Sequence, residues 1–210
     1  MSDPAPGEPS DAALLRLHAD GDPDAFGLLF ARHSARLWAV ALRITCNPDD
    51  AADALQEAMV STFRRAGEFR GESAVTTWLH RIVVNASLDL LRRRSARSVG
   101  WSGNPDDLPV AEPIQVTDSA AGADSRLDVD AALRTLPPTQ RAALVLVDML
   151  GYPVADASAI LGIPEGTVKS RCARGRARLL PYLSHLRGDY SRERNQPVAD
   201  GVSFEQGGGA

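Results

Sequence analysis

Cysteine is scarce in this chain: Cys46 and Cys172 are the only two in 210 residues. They lie far apart, each within a helical pattern, and so read as buried thiols with neither a disulfide nor a ligand role. His18, His33, His80 and His185 are scattered without H-x-x-x-H or C-x-x-C spacing, so no metal site and no cofactor are expected. Aromatics are only 5% of the chain, while Ala, Leu and Arg dominate its interior segments, which favours helix over sheet. No apolar run approaches the length of a membrane span. The opening MSDPAPGEPSD is acidic and Pro-rich where a signal peptide needs a basic start and an apolar core, so a cytoplasmic protein is expected. No convergent nucleophile and base and no phosphate-cradling glycine loop appear, and the chain is not expected to be an enzyme.

What is present is helical patterning, most distinctive between Tyr152 and Leu183. A short helix is predicted over Val154 to Leu161, then a corner at Gly162-Ile163-Pro164, then a longer helix over Gly166 to Leu180. Gly162 can adopt the positive φ that ends the first helix, and Pro164 cannot continue it, so the chain leaves in a new direction. That is a helix-turn-helix. On the second helix Val168, Cys172, Gly175 and Leu179 form one narrow stripe that must pack inward. Opposite lies a crest of Ser170, Ala173, Arg174 and Ala177. Lys169 and Arg176 line one flank of it and Arg171 and Arg178 the other. An isolated basic face can be a solvated surface, but a small-residue crest between two rows of cations also fits a major groove. There the flanks meet phosphates and the crest approaches base edges.

The rest of the chain sorts into two all-α domains. Residues 1–10 read as a disordered tail by composition. Helices are expected from Asp11, over Pro23 to Thr45, and from Asn47-Pro48, where Asn47 suits an N-cap, Pro48 the first helical position, and Asp49 and Asp50 the positive end of the dipole. In that helix Ala51, Leu55, Ala58, Met59 and Thr62 face inward. Asp53, Glu57 and Val60, with Gln56 beside them, form the opposite stripe, which is either a solvated face or a docking surface for a basic partner. A loop with Phe69 exposed between charges leads to Ser73, expected to cap a helix over Ala74 to Arg94. On it Val75, Trp78, Ile82, Asn85 and Asp89 share a stripe whose apolar seam turns polar halfway. Asn85 and Asp89 can simply hydrogen-bond each other on a surface helix. Equally, aromatics, amides and arginines around a loop are what splayed single-stranded bases require.

Periodicity vanishes after Ser95, where Gly, Pro and Ser recur with acidic residues, the mark of a flexible acidic linker. The expected organisation is a first domain over 11–95, a linker over 96–125, a second domain over 126–187 and a disordered tail over 188–210. In the second domain a short helix to Leu136, an interruption at Pro137-Pro138 and a helix from Thr139 to Leu150 precede the helix-turn-helix. The net charge of −4 averages unlike parts, with basic clusters at Arg92 to Arg97 and Lys169 to Arg178. Such a layout gives local basic patches without indiscriminate attraction to DNA.

Two stretches together resemble an extracytoplasmic-function (group four) sigma factor of bacterial RNA polymerase. The first is DDAADALQEAMVSTFRRAGEFRGESAVTTWLHRIVVNASLDLLRRR; the second is LPPTQRAALVLVDMLGYP followed by ILGIPEGTVKSRCARGRARL. The resemblance implies that Asp53, Gln56 and Glu57 dock on the largest subunit of core polymerase. It implies that Phe69, Arg70, Ser73, Trp78, Asn85 and Asp89 open and hold the minus-10 element, where flipping a base costs a few kcal/mol that a pocket must return. Lys169, Ser170, Ala173 and Arg174 match positions that read minus-35 bases, with Thr167, Arg171 and Arg178, and by its flank Arg176, on phosphates. Implied partners are core polymerase (largest and second-largest subunits), promoter DNA and an anti-sigma factor. Pro153 stands where the family has a Ser or Thr cap, and Asp156 and Ala157 replace longer side chains. The alternative is a dimeric helix-turn-helix repressor or activator on palindromic DNA.

Overall fold

The computed structural model describes residues 8–97 and 124–193. Parts of the expected tails and most of the expected linker lie outside these residues. Four helices build the first domain: α1 (Asp11–Ala19), α2 (Ala25–Thr45), α3 (Pro48–Arg65) and α4 (Val75–Ala96), with a 3₁₀ turn at Ala66–Glu68. Four more build the second: α5 (Asp124–Arg134), α6 (Pro138–Leu144), α7 (Val154–Leu161) and α8 (Glu165–Glu193).

The starts of the helices follow from their caps. Ser10 Oγ accepts from the Ala13 amide at 3.2 Å to open α1. Asn47 Oδ1 accepts from the Asp49 and Asp50 amides at 2.8 and 3.1 Å, with Pro48 in the first turn of α3, the arrangement its sequence predicts. Helix α4 departs from expectation. Ala74, with no side-chain bond, occupies its N-cap, and Ser73 is exposed one residue earlier, outside the position from which a hydroxyl caps. Leu29, Leu37, Val40, Ala41 and Ile44 of α2 are buried against Ala51 and Ala58 of α3 and Leu79, Val83 and Leu88 of α4. His33 joins that interior rather than the surface, with its Nε2 2.7 Å from an Asp11 carboxylate oxygen that ties α1 to α2. The other Asp11 oxygen accepts from Arg32 at 2.6 Å.

In the second domain the expected helix from Thr139 to Leu150 is two pieces. After Leu144 the chain widens into a π turn over Val145–Met149, with the Leu150 amide donating to Val145 O at 2.9 Å. Gly162 closes α7 at φ 64°, as the corner requires. Helix α8 continues past Leu180 to Glu193. Its stripe of Val168, Cys172 and Gly175 is buried on α6. A Cβ at Gly175 would stand 2.7 Å from Leu144 Cδ1, so glycine is what permits this close approach.

The two domains touch. Helices α6 and α7 lie against α2 and α4. Arg141 of α6 is 1% exposed and reaches into the first domain. Its Nη1 donates to Ile44 O at 2.8 Å and to Cys46 Sγ at 2.6 Å, while Nη2 donates to Leu136 O at 2.8 Å. Ile44 belongs to the last turn of α2, whose carbonyls lack helical partners, and Cys46 ends that helix in the left-handed region at φ 57°. On α4, His80 Nδ1 lies 2.7 Å from the Tyr152 hydroxyl, the rings meeting edge to face.

Candidate nucleic-acid and partner interfaces

Three surfaces carry the residues singled out from sequence. The first is the outer face of α3, where Asp53, Gln56 and Glu57 are all exposed and Ala51, Ala54 and Ala58 hold the opposite face inside. Glu57 is not a free carboxylate. Arg93 of α4 donates to both its oxygens, at 3.1 and 2.6 Å, and these bonds hold its pKa below the usual carboxylate range. A neighbouring pair, Arg94 with the buried Asp50, spans the same seam. Burial pushes the Asp50 carboxyl up, against the pull of Arg94.

The second surface is an open cavity of about 350 Å³ between α3 and α4. Trp78, Ile82, Asn85 and Asp89 line it along one face of α4, so the seam that turns polar halfway is the cavity wall. Glu57, Ser61 and Arg65 line it from α3, and Arg81 from α4. Ser61, Arg65 and Arg81 escaped the sequence reading. The signal was present: Glu57, Ser61 and Arg65 recur at i, i+4 on one helical face, and Arg81 stands three and four residues from Trp78 and Asn85. Phe69 is half-buried, its ring 5.5 Å from that of Trp78, and not exposed as its charged neighbours suggested. Arg70 and Ser73 are exposed in the same loop but do not line the cavity. Asp89 accepts from Arg92 at 2.6 Å, so one cation offsets its charge at the rim. The cavity thus offers an indole, an amide, two carboxylates and two guanidinium groups, of which Arg65 donates to Glu68 at 2.8 Å; indole, amide and guanidinium are the groups with which proteins stack on unpaired bases, hydrogen-bond their edges and meet their phosphates.

The third surface is the outer face of α8. Lys169, Ser170, Ala173, Arg174, Ala177 and Arg178 are exposed, while Thr167 and Arg171 are half-buried. Ser170 Oγ donates to Thr167 O at 3.0 Å, and Arg174 Nε donates to Ser170 O at 3.3 Å, which lays the guanidinium along the crest. Arg178 Nη1 donates to Gln140 Oε1 at 3.3 Å and Lys169 sits 3.8 Å from Glu165. Arg176 is exposed on its flank and also pairs with an acidic residue of the π turn. Its Nε and Nη2 donate to Asp148 at 2.9 and 2.6 Å, and its side chain helps wall an apolar groove of about 400 Å³. Val129, Leu133, Leu144, Met149, Leu179, Leu180 and Leu183 supply the groove's apolar wall. The π turn carries Asp148 to it, a pairing that a helical wheel of α8 alone does not contain. Pro153 occupies the N-cap of α7 without a side-chain hydrogen bond, and Asp156 is exposed. No helix among the described residues is long and apolar enough to cross a membrane.

Comparisons with known proteins give this arrangement its family. Residues 29–97 match the model of sigma-70 region 2, and residues 126–179 match that of sigma-70 region 4. The ECF RNA polymerase sigma factor SigM of Mycobacterium tuberculosis H37Rv is 49% identical over 85% of this chain and 87% of its own length. SigE of Mycolicibacterium smegmatis is 37% identical over 84% of this chain and 69% of its own. The sigma factor RpoE of Bartonella quintana, solved with the anti-sigma factor NepR, aligns with a TM-score of 0.60 at 27% identity, over 77% of this chain and 98% of that one. On the strength of both region matches and these relatives, the chain belongs to the extracytoplasmic-function (ECF) sigma factors of RNA polymerase.

Proposed function

We propose that the three surfaces divide the work of a sigma factor among named residues. The chain directs RNA polymerase to specific promoters, as its family does. The repressor alternative finds no support among its relatives. In this reading Asp53, Gln56 and Glu57 dock on the largest subunit of core polymerase, their carboxylates meeting a basic partner. Phe69, Arg70, Ser73, Trp78, Asn85 and Asp89 receive the opened minus-10 strand, and Ser61, Arg65 and Arg81 join them as cavity walls. Lys169, Ser170, Ala173 and Arg174 read minus-35 bases, and Thr167, Arg171 and Arg178 hold phosphates. Arg176, exposed on its flank and paired with Asp148, holds a further phosphate. The chain acts in the cytoplasm, has no catalytic step of its own, and also contacts the second-largest polymerase subunit. The anti-sigma factor NepR, solved in complex with the related RpoE, supports a similar inhibitor here.

The observation that carries this reading is the open cavity walled by Trp78, Asn85, Asp89 and arginines, on the same chain as the exposed crest of α8. A duplex-only regulator has no use for the cavity. Transcription in vitro with purified core polymerase over a promoter library tests it. The expected result is initiation only with this chain present and from promoters sharing two spaced elements. Initiation indifferent to its addition would overturn the reading.

A further inference from the structure

One apolar surface lies outside the docking and promoter-reading faces. The groove of about 400 Å³ is walled by Val129 and Leu133 of α5, Met149 of the π turn, and Leu179, Leu180 and Leu183 of α8. Met149 is 39% exposed and Leu180 is 55% exposed. Open apolar area in a concave wall marks a contact site, and this volume admits a few side chains. Among the described residues that line it, none is aromatic. The chain after α8, residues 194–210, has the complementary composition: it holds apolar side chains, one of them aromatic, but too few to build a core of its own.

We propose that this C-terminal segment folds back along α8 and seats Phe204 in the groove, beside Val202. Helix α8 ends at Glu193, ten residues past Leu183, so the segment starts about 15 Å beyond the groove. Eleven residues lead from Glu193 to Phe204 and span up to about 36 Å when extended, more than twice the return distance. Composition points the same way. The stretch NQPVADGVSFEQGGGA is polar and glycine-rich, yet it carries Val198, Val202 and one of the five phenylalanines of the chain. A segment kept only for solvation has few aromatics. The tether supplies the rest. Joined to α8 by so short a span, Phe204 meets the groove at an effective concentration in the millimolar range, so a contact too weak to hold between separate molecules persists within the chain. Any second apolar partner of the groove must displace Phe204, and its apparent affinity falls in proportion to the fraction of chains left open. The segment is therefore a built-in competitor for the groove, a role that goes beyond promoter recognition and does not depend on it.

The test is methyl NMR on the full chain labelled at its methionines, of which there are three: Met1, Met59 and Met149. Met149 lines the groove, and Met59, packed in the first domain, serves as the internal reference. Met149→Leu assigns the groove signal. In the wild type the ring of Phe204 should hold the Met149 methyl upfield of its position in Phe204→Ala, while Met59 stays in place in both. The substituted residue lies outside the packed helices, and circular dichroism confirms that helicity is kept. The Met149 signal should also be unchanged on dilution, as a contact within one chain requires. A Met149 methyl at the same position in the wild type and in Phe204→Ala would overturn the proposal. So would a signal that moves on dilution, which assigns the groove to a second copy of the chain. The signal is read without DNA or polymerase, so its failure is distinguishable from failure of transcription in vitro.

Discussion

Arg93 grasps Glu57 with two hydrogen bonds across the seam of α3 and α4, at 3.1 and 2.6 Å, although the residues are 36 positions apart. Both side chains are about half exposed, so solvent screens the pair and its net contribution to stability is under about 1 kcal/mol. Its use is positional: it fixes where the Glu57 carboxylate stands on the docking face. Glu57→Lys should therefore abolish co-purification with core polymerase while the melting temperature changes by only a few degrees. Arg93→Ala, which keeps the carboxylate but releases it from its fixed position, should weaken co-purification without abolishing it. Retained binding by the Glu57 variant would remove this residue from the docking surface.

Arg174 and Arg178 occupy different parts of α8 and should fail differently. Arg174→Ala should relax minus-35 sequence preference at a cost of about 1–3 kcal/mol, whereas Arg178→Ala should weaken binding evenly across sequences and reduce the salt dependence. Competition binding of the polymerase complex to a randomised minus-35 library measures both. Identical preference profiles for the two variants would contradict the assignment of base and phosphate roles.

Acid should loosen the first domain and its contact with Tyr152. Burial pushes the His80 pKa down to about 4, with Arg36 and His33 adding to the effect. The unfolded chain takes up this proton near pH 6.5 and the folded chain only near 4, so stability is full above 6.5 and falls as pH drops through that interval. The loss reaches about 3 kcal/mol at its limit, by 1.36 kcal/mol per unit. Chemical denaturation from pH 7.5 to 4.5 should show it, and His80→Gln should flatten the profile between pH 6.5 and 4.5. An unchanged profile in that variant would assign the acid sensitivity elsewhere.

Gly175 lies where α8 presses on Leu144. Gly175→Val places a branched side chain into a contact that already has no room for a Cβ, and should destabilise the second domain by roughly 2–3 kcal/mol. A thermal melt of the full chain checks this. A melting temperature equal to the wild type would mean that α6 can retreat freely.

Much of this architecture is legible because it is local. The Asn47-Pro48 start, the glycine corner at Gly162, and the buried stripe of Val168, Cys172 and Gly175 each depend on residues within one or two turns. The wall of Trp78, Ile82, Asn85 and Asp89 was visible as a stripe for the same reason, though not that α3 completes it. What escaped was long-range pairing. Arg176 meets Asp148 from 28 positions away and Arg141 meets Ile44 from 97 positions away, separations at which periodicity says nothing. The π turn was equally hidden, since Val145, Leu146 and Met149 keep an apolar pattern that a regular helix shares.

Helix α8 spans 29 residues, about 43 Å at 1.5 Å per residue, with Pro181 in its interior, where one backbone donor is missing. Its first half bears the crest of Ser170 and Arg174, and its second half lends Leu179, Leu180 and Leu183 to the apolar groove. Leu179 and Leu180 follow Arg174 by less than two turns and precede Pro181, so the groove wall and the crest are two faces of one continuous stretch of helix, and neither can be rebuilt by substitution without regard to the other.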